Sequence, residues 1–183
     1  MEMSGNGSAL RELIRVMHPG GNVALLGLPP ADMARHIAYD PGAEGVTRAM
    51  AASLGAPAIL STFSRLVIDP NRAEDAPTLL LRLYDGTINP GNRHADASER
   101  ARRIEAWHRP YHEAISRVLA RHTGASLVSI HSFTRQLRGR APRPWHIGVL
   151  YAEDARLARP FIDLASAEPD LCIGDNQPYS GHL

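Results

Sequence analysis

The feature that most constrains the fold is a rhythm in the last third of the chain. The apolar runs SLVSI (126–130) and HIGVLY (146–151) are followed by helix-patterned EDARLARPFIDLAS (153–166) and then by LCI (171–173). Short, near-continuous β-branched and aliphatic runs suit strands buried on both faces, and an amphipathic stretch between two of them reads as a crossover helix. The rhythm predicts an α/β chain with a parallel or mostly parallel sheet covered by helices. SLVSI and HIGVLY are expected as adjacent or near-adjacent parallel strands, with LCI in the same sheet. Acidic Glu153 and Asp154 suit the first turn of the helix. Sites in such sheets form at the C-terminal ends of strands, and His131, Tyr151 and Asp175 lie at those ends.

Upstream, Pro29-Pro30 introduces a helix expected over 31–40, with Met33 and Ile37 facing inward. A second helix over about 44–54 ends at Gly55, a C-cap signal. APAIL (56–60) and RLVID (65–69) read as strands. Residues 70–97 show little periodicity and carry Pro70, Pro77, Gly86, Pro90 and Gly91, which suits a lid or site-lining loop; the embedded TLLLRLY argues against complete disorder. Helical pattern returns over 98–122, kinked around Pro110. Residues 8–17 are either a helix with Leu10, Leu13, Ile14 and Met17 on one stripe, or a short strand that delivers His18 at its edge. Only ten residues follow Ile173, so the sheet edge there is expected to be covered by an oligomer partner, or the chain is shorter than its complete fold.

Composition narrows the chemistry. The formal charge is +1, from 20 basic and 19 acidic residues, which supplies no general reason to bind nucleic acid. All the basic residues are arginine, so mechanisms that use a Schiff-base or P-loop lysine are excluded. Cys172, alone of its kind, forms no internal disulfide, and no apolar run approaches a membrane span. A reduced, cytoplasmic setting is the expectation. Nine histidines in this length point to metal or proton-transfer chemistry.

Several constellations carry that chemistry. His131, in IHSFT, is placed to hold a metal or substrate while its second ring nitrogen is fixed by an acceptor; the bland alternative is a hydrogen-bonded strand-end histidine. Ser132 beside it is poor geometry for a nucleophile and base. SRLVIDPNR (64–72) gathers Arg65, Asp69, Asn71 and Arg72. This is either an anchor for a carboxylate or a salt bridge closing a turn. His36 and Asp40 stand at i,i+4, as do His108 and His112 across Pro110, the latter pair reading as exposed histidines on a kinked helix. ERARR (99–103) reads as a solvated helix face. RAPRPWHIG (140–148) brings Arg143 and Trp145 to the start of a strand. GDNQPYSG (174–181) places Asp175, Asn176 and Tyr179 in a turn after one.

GLPPADMARHIAYDPGA, SRLVIDPNR, RPYHEAI, IHSFT, RPWHIGVLY and GDNQPYSG occur in the order seen in the N-formylglutamate amidohydrolase family, which the chain resembles over about residues 27–181. That family is linked to histidine breakdown and hydrolyses N-formyl-L-glutamate to formate and glutamate. The resemblance implies a three-layer α/β/α sandwich around a mostly parallel mixed sheet, similar to zinc-dependent exopeptidases, formed by residues 1–183 as a single domain. It implies a Zn²⁺ or other divalent metal site using His131, with His18 as the first ligand and Asp40 as the acidic one. Asn71 and Arg72 would hold a substrate carboxylate, joined by Arg65, Arg143 and Asn176. The implied partner is a small acidic N-acyl amino acid, with neither nucleic acid nor membrane.

The sequence departs from the family pattern at four places. MHPGGN around His18 is a degraded match to the first-ligand motif, and it stands closer to GLP than the pattern has it. Arg135 follows HSFT where the family prefers proline, and DPNRA stands for the usual DLNRP. A late glutamate-bearing strand, thought to carry the acid/base carboxylate, would fall after Leu183. The chain is therefore expected to be truncated relative to the family at its C-terminus. The alternative to a hydrolase is a truncated, weakly active or inactive carboxylate-binding paralogue.

Overall fold

The computed structural model of the chain describes residues 37–137 and 139–181, which fall into two compact units divided after Phe133. The stretch 8–17, His18, His36 and most of the helix expected over 31–40 lie outside the described residues; Ile37 to Tyr39 form a turn and bend.

In the first unit, helix α1 (Ala43–Leu54) ends where expected. Gly55 adopts a left-handed φ of 61° and its N–H bonds the Ala51 carbonyl. Neither APAIL nor RLVID forms a ladder. The reason for RLVID is visible in its backbone partners. The Leu66 carbonyl accepts from the side-chain amides of Asn89 and Asn92, and the Val67 carbonyl from the Arg103 guanidinium. Buried side chains therefore take acceptors that a neighbouring strand would otherwise satisfy. Asn92 also donates to the Leu81 carbonyl and accepts from Arg103, so one fully buried amide ties three segments together. Around this network Ile37, Leu66, Ile68, Leu79, Leu80 and Ile104 close the hydrophobic core.

Residues 70–97, expected as a loop, contain a hairpin of β1 (Leu83–Tyr84) and β2 (Thr87–Ile88). Its two turn residues, Asp85 and Gly86, both have positive φ, 45° and 75°, which is the backbone of a two-residue type I′ turn. A 3₁₀ turn at Pro90–Asn92 follows.

The helical stretch runs from α2 (Ala97–Arg103) through one π turn (Ile104–His108) into α3 (Arg109–Arg121). The Arg109 N–H reaches back five residues to Ile104. The expected disturbance around Pro110 is this wider turn. Proline lacks an N–H and its ring crowds the carbonyl four residues back, and a π turn relieves both problems without ending the helix. ERARR is only partly the expected solvated face, because Arg103 is 7% exposed.

At the start of α2, the Asp96 side chain caps the Glu99 N–H. Hydrogen bonds from Arg102 and then Arg103 hold the Glu99 carboxyl down to about 2, against an ordinary 4.5. A carboxylate depressed in the folded state stabilises it above the unfolded pKa, and that contribution is lost as pH falls through the folded value. Stability should therefore decline from about pH 4.5 towards about pH 2. Glu99→Gln should flatten part of that decline in denaturation curves recorded across the window. Superimposable pH profiles for the two proteins would remove Glu99 as a source.

In the second unit, β3 (Ile147–Val149) and β4 (Ile173–Asp175) pair in parallel, joined by a connection containing α4 (Ala158–Ser166). HIGVLY and LCI thus share a sheet, as expected, and pair directly within it. Gly148 and Gly174 lie opposite each other in register, and a Cβ on either would run into the Gln177 carbonyl. The close pass of the 176–181 turn over the ladder thus requires two glycines. The helix begins at Ala158 rather than near Glu153, because Asp154 turns its carboxylate onto the N–H and guanidinium of Arg156.

The α/β class holds. The described strands, however, form two separate two-stranded sheets, one antiparallel and one parallel, rather than a single mixed sheet. SLVSI is irregular and outside both ladders, with Leu127 63% exposed and Val128 49%. Its β-branched residues favour extension, but a ladder also needs a paired edge, and none meets it among the described residues. No helix among the described residues is long and apolar enough to cross a membrane.

Candidate functional site

The first unit holds a continuous polar chain built from three distant stretches. Asp40 lies just before α1, Arg65 and Asp69 flank the core segment 66–68, Ser129 stands in SLVSI and His131 directly after it. His131 Nδ1 is 2.6 Å from Asp40 Oδ2, across 91 positions of sequence, and its Nε2 is 3.1 Å from the Ser129 hydroxyl. A neutral imidazole meeting both contacts carries its proton on Nδ1, donates to the carboxylate, and accepts from serine at Nε2.

Arg65 continues the chain. Its Nη1 lies 3.8 Å from Asp40 Oδ1 and its Nη2 2.8 Å from Asp69 Oδ2, with the guanidinium over the Tyr84 ring. Burial opposes the Arg65 charge, but the hydrogen bond to Asp69 and the Asp69 and Asp40 charges outweigh it, raising its pKa above the ordinary value. Asp69 is 1% exposed. Its second oxygen accepts from the Asn71 N–H, and its backbone carbonyl from the Arg72 N–H. The Arg72 guanidinium approaches Asp69 at 4.0 Å. Among the described residues the Nε atoms of Arg65 and Arg72 find no hydrogen-bond acceptor.

Both alternatives posed by SRLVIDPNR are therefore present. A salt bridge closes the turn, through Arg65 and Asp69. Beside it stand an exposed Asn71 and a half-exposed Arg72. The structure brings Asp40, Arg65, Asn71, Arg72 and His131 into one unit, and His18 lies outside the described residues.

The reading of His108 and His112 as exposed histidines is corrected. His108 is 4% exposed, and its Nε2 is 2.8 Å from the Arg72 carbonyl. His112 is partly buried, with Nε2 3.0 Å from the Pro70 carbonyl. The two rings lie 4.3 Å apart. Burial, and then the neighbouring His108, push the His112 pKa down. The i,i+4 spacing was the available signal. It was misread because nothing local in RPYHEAI shows that a loop some forty residues upstream covers that face.

In the second unit, Arg143 and Asn176 are engaged in building turns. Arg143 donates to the Thr134 carbonyl and the Tyr179 hydroxyl, with its guanidinium 4.9 Å from the Tyr179 ring centroid. The Asn176 amide oxygen accepts from the Tyr151 and Gly181 N–H groups. At the strand ends, Asp175 accepts from the Tyr151 hydroxyl and from Arg159.

Comparison with known proteins gives three findings. A family model described as N-formylglutamate amidohydrolase matches residues 11–183. A crystal structure of gene product Atu2144 from Agrobacterium tumefaciens is 34% identical, with a TM-score of 0.78, over 85% of this chain and 62% of that one. Short stretches also match L-threonine 3-dehydrogenases. One of 33 residues is 54% identical to that of Vibrio vulnificus, and one of 34 residues is 59% identical to that of Photorhabdus laumondii. The chain spans only 10% of the length of each of those curated relatives, less than any usual domain.

Proposed function

We propose, from the premise that this chain belongs to the N-formylglutamate amidohydrolase family, that it serves a hydrolase acting on the formamide C–N bond of N-formyl-L-glutamate or a related N-acyl acidic amino acid. Formate and glutamate are the products of this reading. The observation that carries it is the meeting of Asp40 and His131 within one hydrogen bond, beside an anchor of half-exposed Arg72 and exposed Asn71. The finer fold, a three-layer sandwich similar to zinc-dependent exopeptidases, belongs to the same reading.

Asp40 and His131 fit a divalent metal by donor type, one carboxylate and one imidazole, each partly open to solvent. Among the described residues no set of three ligand-type side chains occurs, and the further ligand in this reading is His18, as the family resemblance implies. The chemistry that bound zinc supplies is a water acidic enough to act as a nucleophile near neutral pH. The chain's own residues do the rest. Arg72 and Asn71 offer donors for a substrate carboxylate. Arg65 pairs with Asp69 and lies 3.8 Å from Asp40, offsetting one of their two negative charges where an acidic group would approach. The Asp40 contact fixes the orientation and tautomer of His131.

Two other readings rest on specific contacts. Ser129, His131 and Asp40 have the hydrogen-bond order of nucleophile, base and orienting carboxylate. Asp40 and Asp69 are both committed to cationic or donor partners, which suits a carboxylate-binding relative without turnover. One assay separates all three. Zinc-loaded protein should release formate from N-formyl-L-glutamate far faster than from N-formyl-L-leucine, chelation should stop it, and Ser129→Ala should leave it intact. Loss of activity in Ser129→Ala supports the serine nucleophile. L-Glutamate binding without formate release supports the binding module. Equal rates on the two substrates remove the acidic-substrate assignment.

A further inference from the structure

The stretch that carries Asn71 and Arg72 has an unusual set of backbone partners. Its carbonyls at alternate positions, Pro70, Arg72, Glu74 and Ala76, all accept hydrogen bonds from side chains of the 97–121 helical stretch. His112 serves Pro70, His108 serves Arg72, and Arg100 serves both Glu74 and Ala76. The stretch is a run of turns, with the Arg72 N–H on the Asp69 carbonyl and the Ala76 N–H on the Ala73 carbonyl, so the carbonyls left over at 70, 72 and 74 are met by side chains of a helix rather than by a neighbouring strand. Two of the three donor side chains, His108 and His112, bracket the anchor pair.

Three further observations make this arrangement specific. The contacts require the proton of each imidazole on Nε2, since a carbonyl only accepts. That tautomer leaves His108 Nδ1 as a buried lone pair, and Nδ1 has no hydrogen-bond partner among the described residues. Leaving a buried nitrogen unpaired is costly, so the burial of His108 is maintained by what Nε2 and the packing supply. The π turn at Ile104–His108 also ends on His108, and the extra residue it inserts changes the angular setting of everything after it relative to Arg100 and Arg103.

We propose that His108 and His112 are positioning residues for the carboxylate anchor: their Nε2–H groups pin the Pro70 and Arg72 carbonyls and thereby set the backbone from which Asn71 and Arg72 project. Neither touches substrate in this assignment. The role rests on the acidic-substrate reading for its purpose, but not for its geometry.

The experiment uses the full chain and four variants, His108→Ala, His112→Ala, His108→Gln and His112→Gln. Glutamine places an amide N–H close to the position of Nε2. With L-glutamate as the probe in calorimetry, each alanine variant should bind about tenfold more weakly, and each glutamine variant within about threefold of the parent. In the formate assay the alanine variants should raise KM with kcat little changed, because uniform binding is lost. Amide exchange at Asn71 and Arg72 should quicken about tenfold in the alanine variants and stay near the parent in the glutamine ones. Long-range ¹⁵N–¹H spectra of the parent protein should show both imidazoles as Nε2–H tautomers, a measurement that does not depend on any variant folding. An Nδ1–H tautomer at either histidine overturns the proposal. So do alanine variants that match the parent, or glutamine variants as impaired as alanine. If the parent fails to bind L-glutamate while tautomers and exchange behave as stated, the acidic-substrate reading fails and the pinning of the loop stands.

Discussion

Replacing His131 by alanine should lower zinc affinity by more than about a hundredfold and abolish formate release. Losing an outer partner of a metal ligand already costs roughly 10–100-fold in affinity, and a ligand is worth more. Asp40→Asn should fall within that lower range if the carboxylate chiefly orients His131, and should match His131→Ala if it is a ligand in its own right. Calorimetric titration of the metal-free protein with Zn²⁺ measures both variants directly. Equal zinc affinity in the parent and His131→Ala would remove His131 from the ligand set, whatever activity a preparation showed.

Asp69→Ala should cost about 3 kcal/mol of folding stability, the lower end of what breaking a buried ion pair costs, because Arg65 retains some solvent contact. The carboxylate is 1% exposed and serves two partners at once, the Arg65 guanidinium and the Asn71 N–H. Asp69→Asn keeps an acceptor for Asn71 but loses the charge opposite Arg65, so its denaturation midpoint should lie between the other two. Urea unfolding of the three proteins checks the order. A midpoint for Asp69→Ala equal to the parent's would mean that the pair contributes nothing to the fold.

What the sequence made legible was what local chemistry determines. Gly55 announced the end of α1, because a left-handed cap admits glycine without strain. HIGVLY and LCI were legible as strands of one sheet, since buried strands read as apolar runs. The hairpin at 83–88 was legible and overlooked. Asp85-Gly86 between Leu-Tyr and Thr-Ile is a strong short-range turn signal, hidden by the surrounding prolines.

The misreadings share a physical cause. RLVID has the composition of a strand, but Asn89, Asn92 and Arg103 take its carbonyls, and those residues lie more than twenty positions away. His108 and His112 show the same effect from the other side. Their spacing was plain, but their burial depends on the loop carrying Pro70 and Arg72. Of the candidate site, His131, Asp40 and the Arg65–Arg72 cluster were named from sequence. The direct Asp40–His131 contact came only with coordinates, because no local pattern spans 91 residues.

The alternate carbonyls of 70–76 have a consequence for how this site can be moved or altered. They are met by three side chains borrowed from a helix, so the shape of the stretch is stored partly in residues 100, 108 and 112 and only partly in its own Asp69 turn. Grafting DPNRAEDA onto another scaffold would transfer the guanidinium and the amide but not their disposition. Conversely, exchanges on one helix face offer a way to retune ligand preference while every residue of the anchor itself stays untouched.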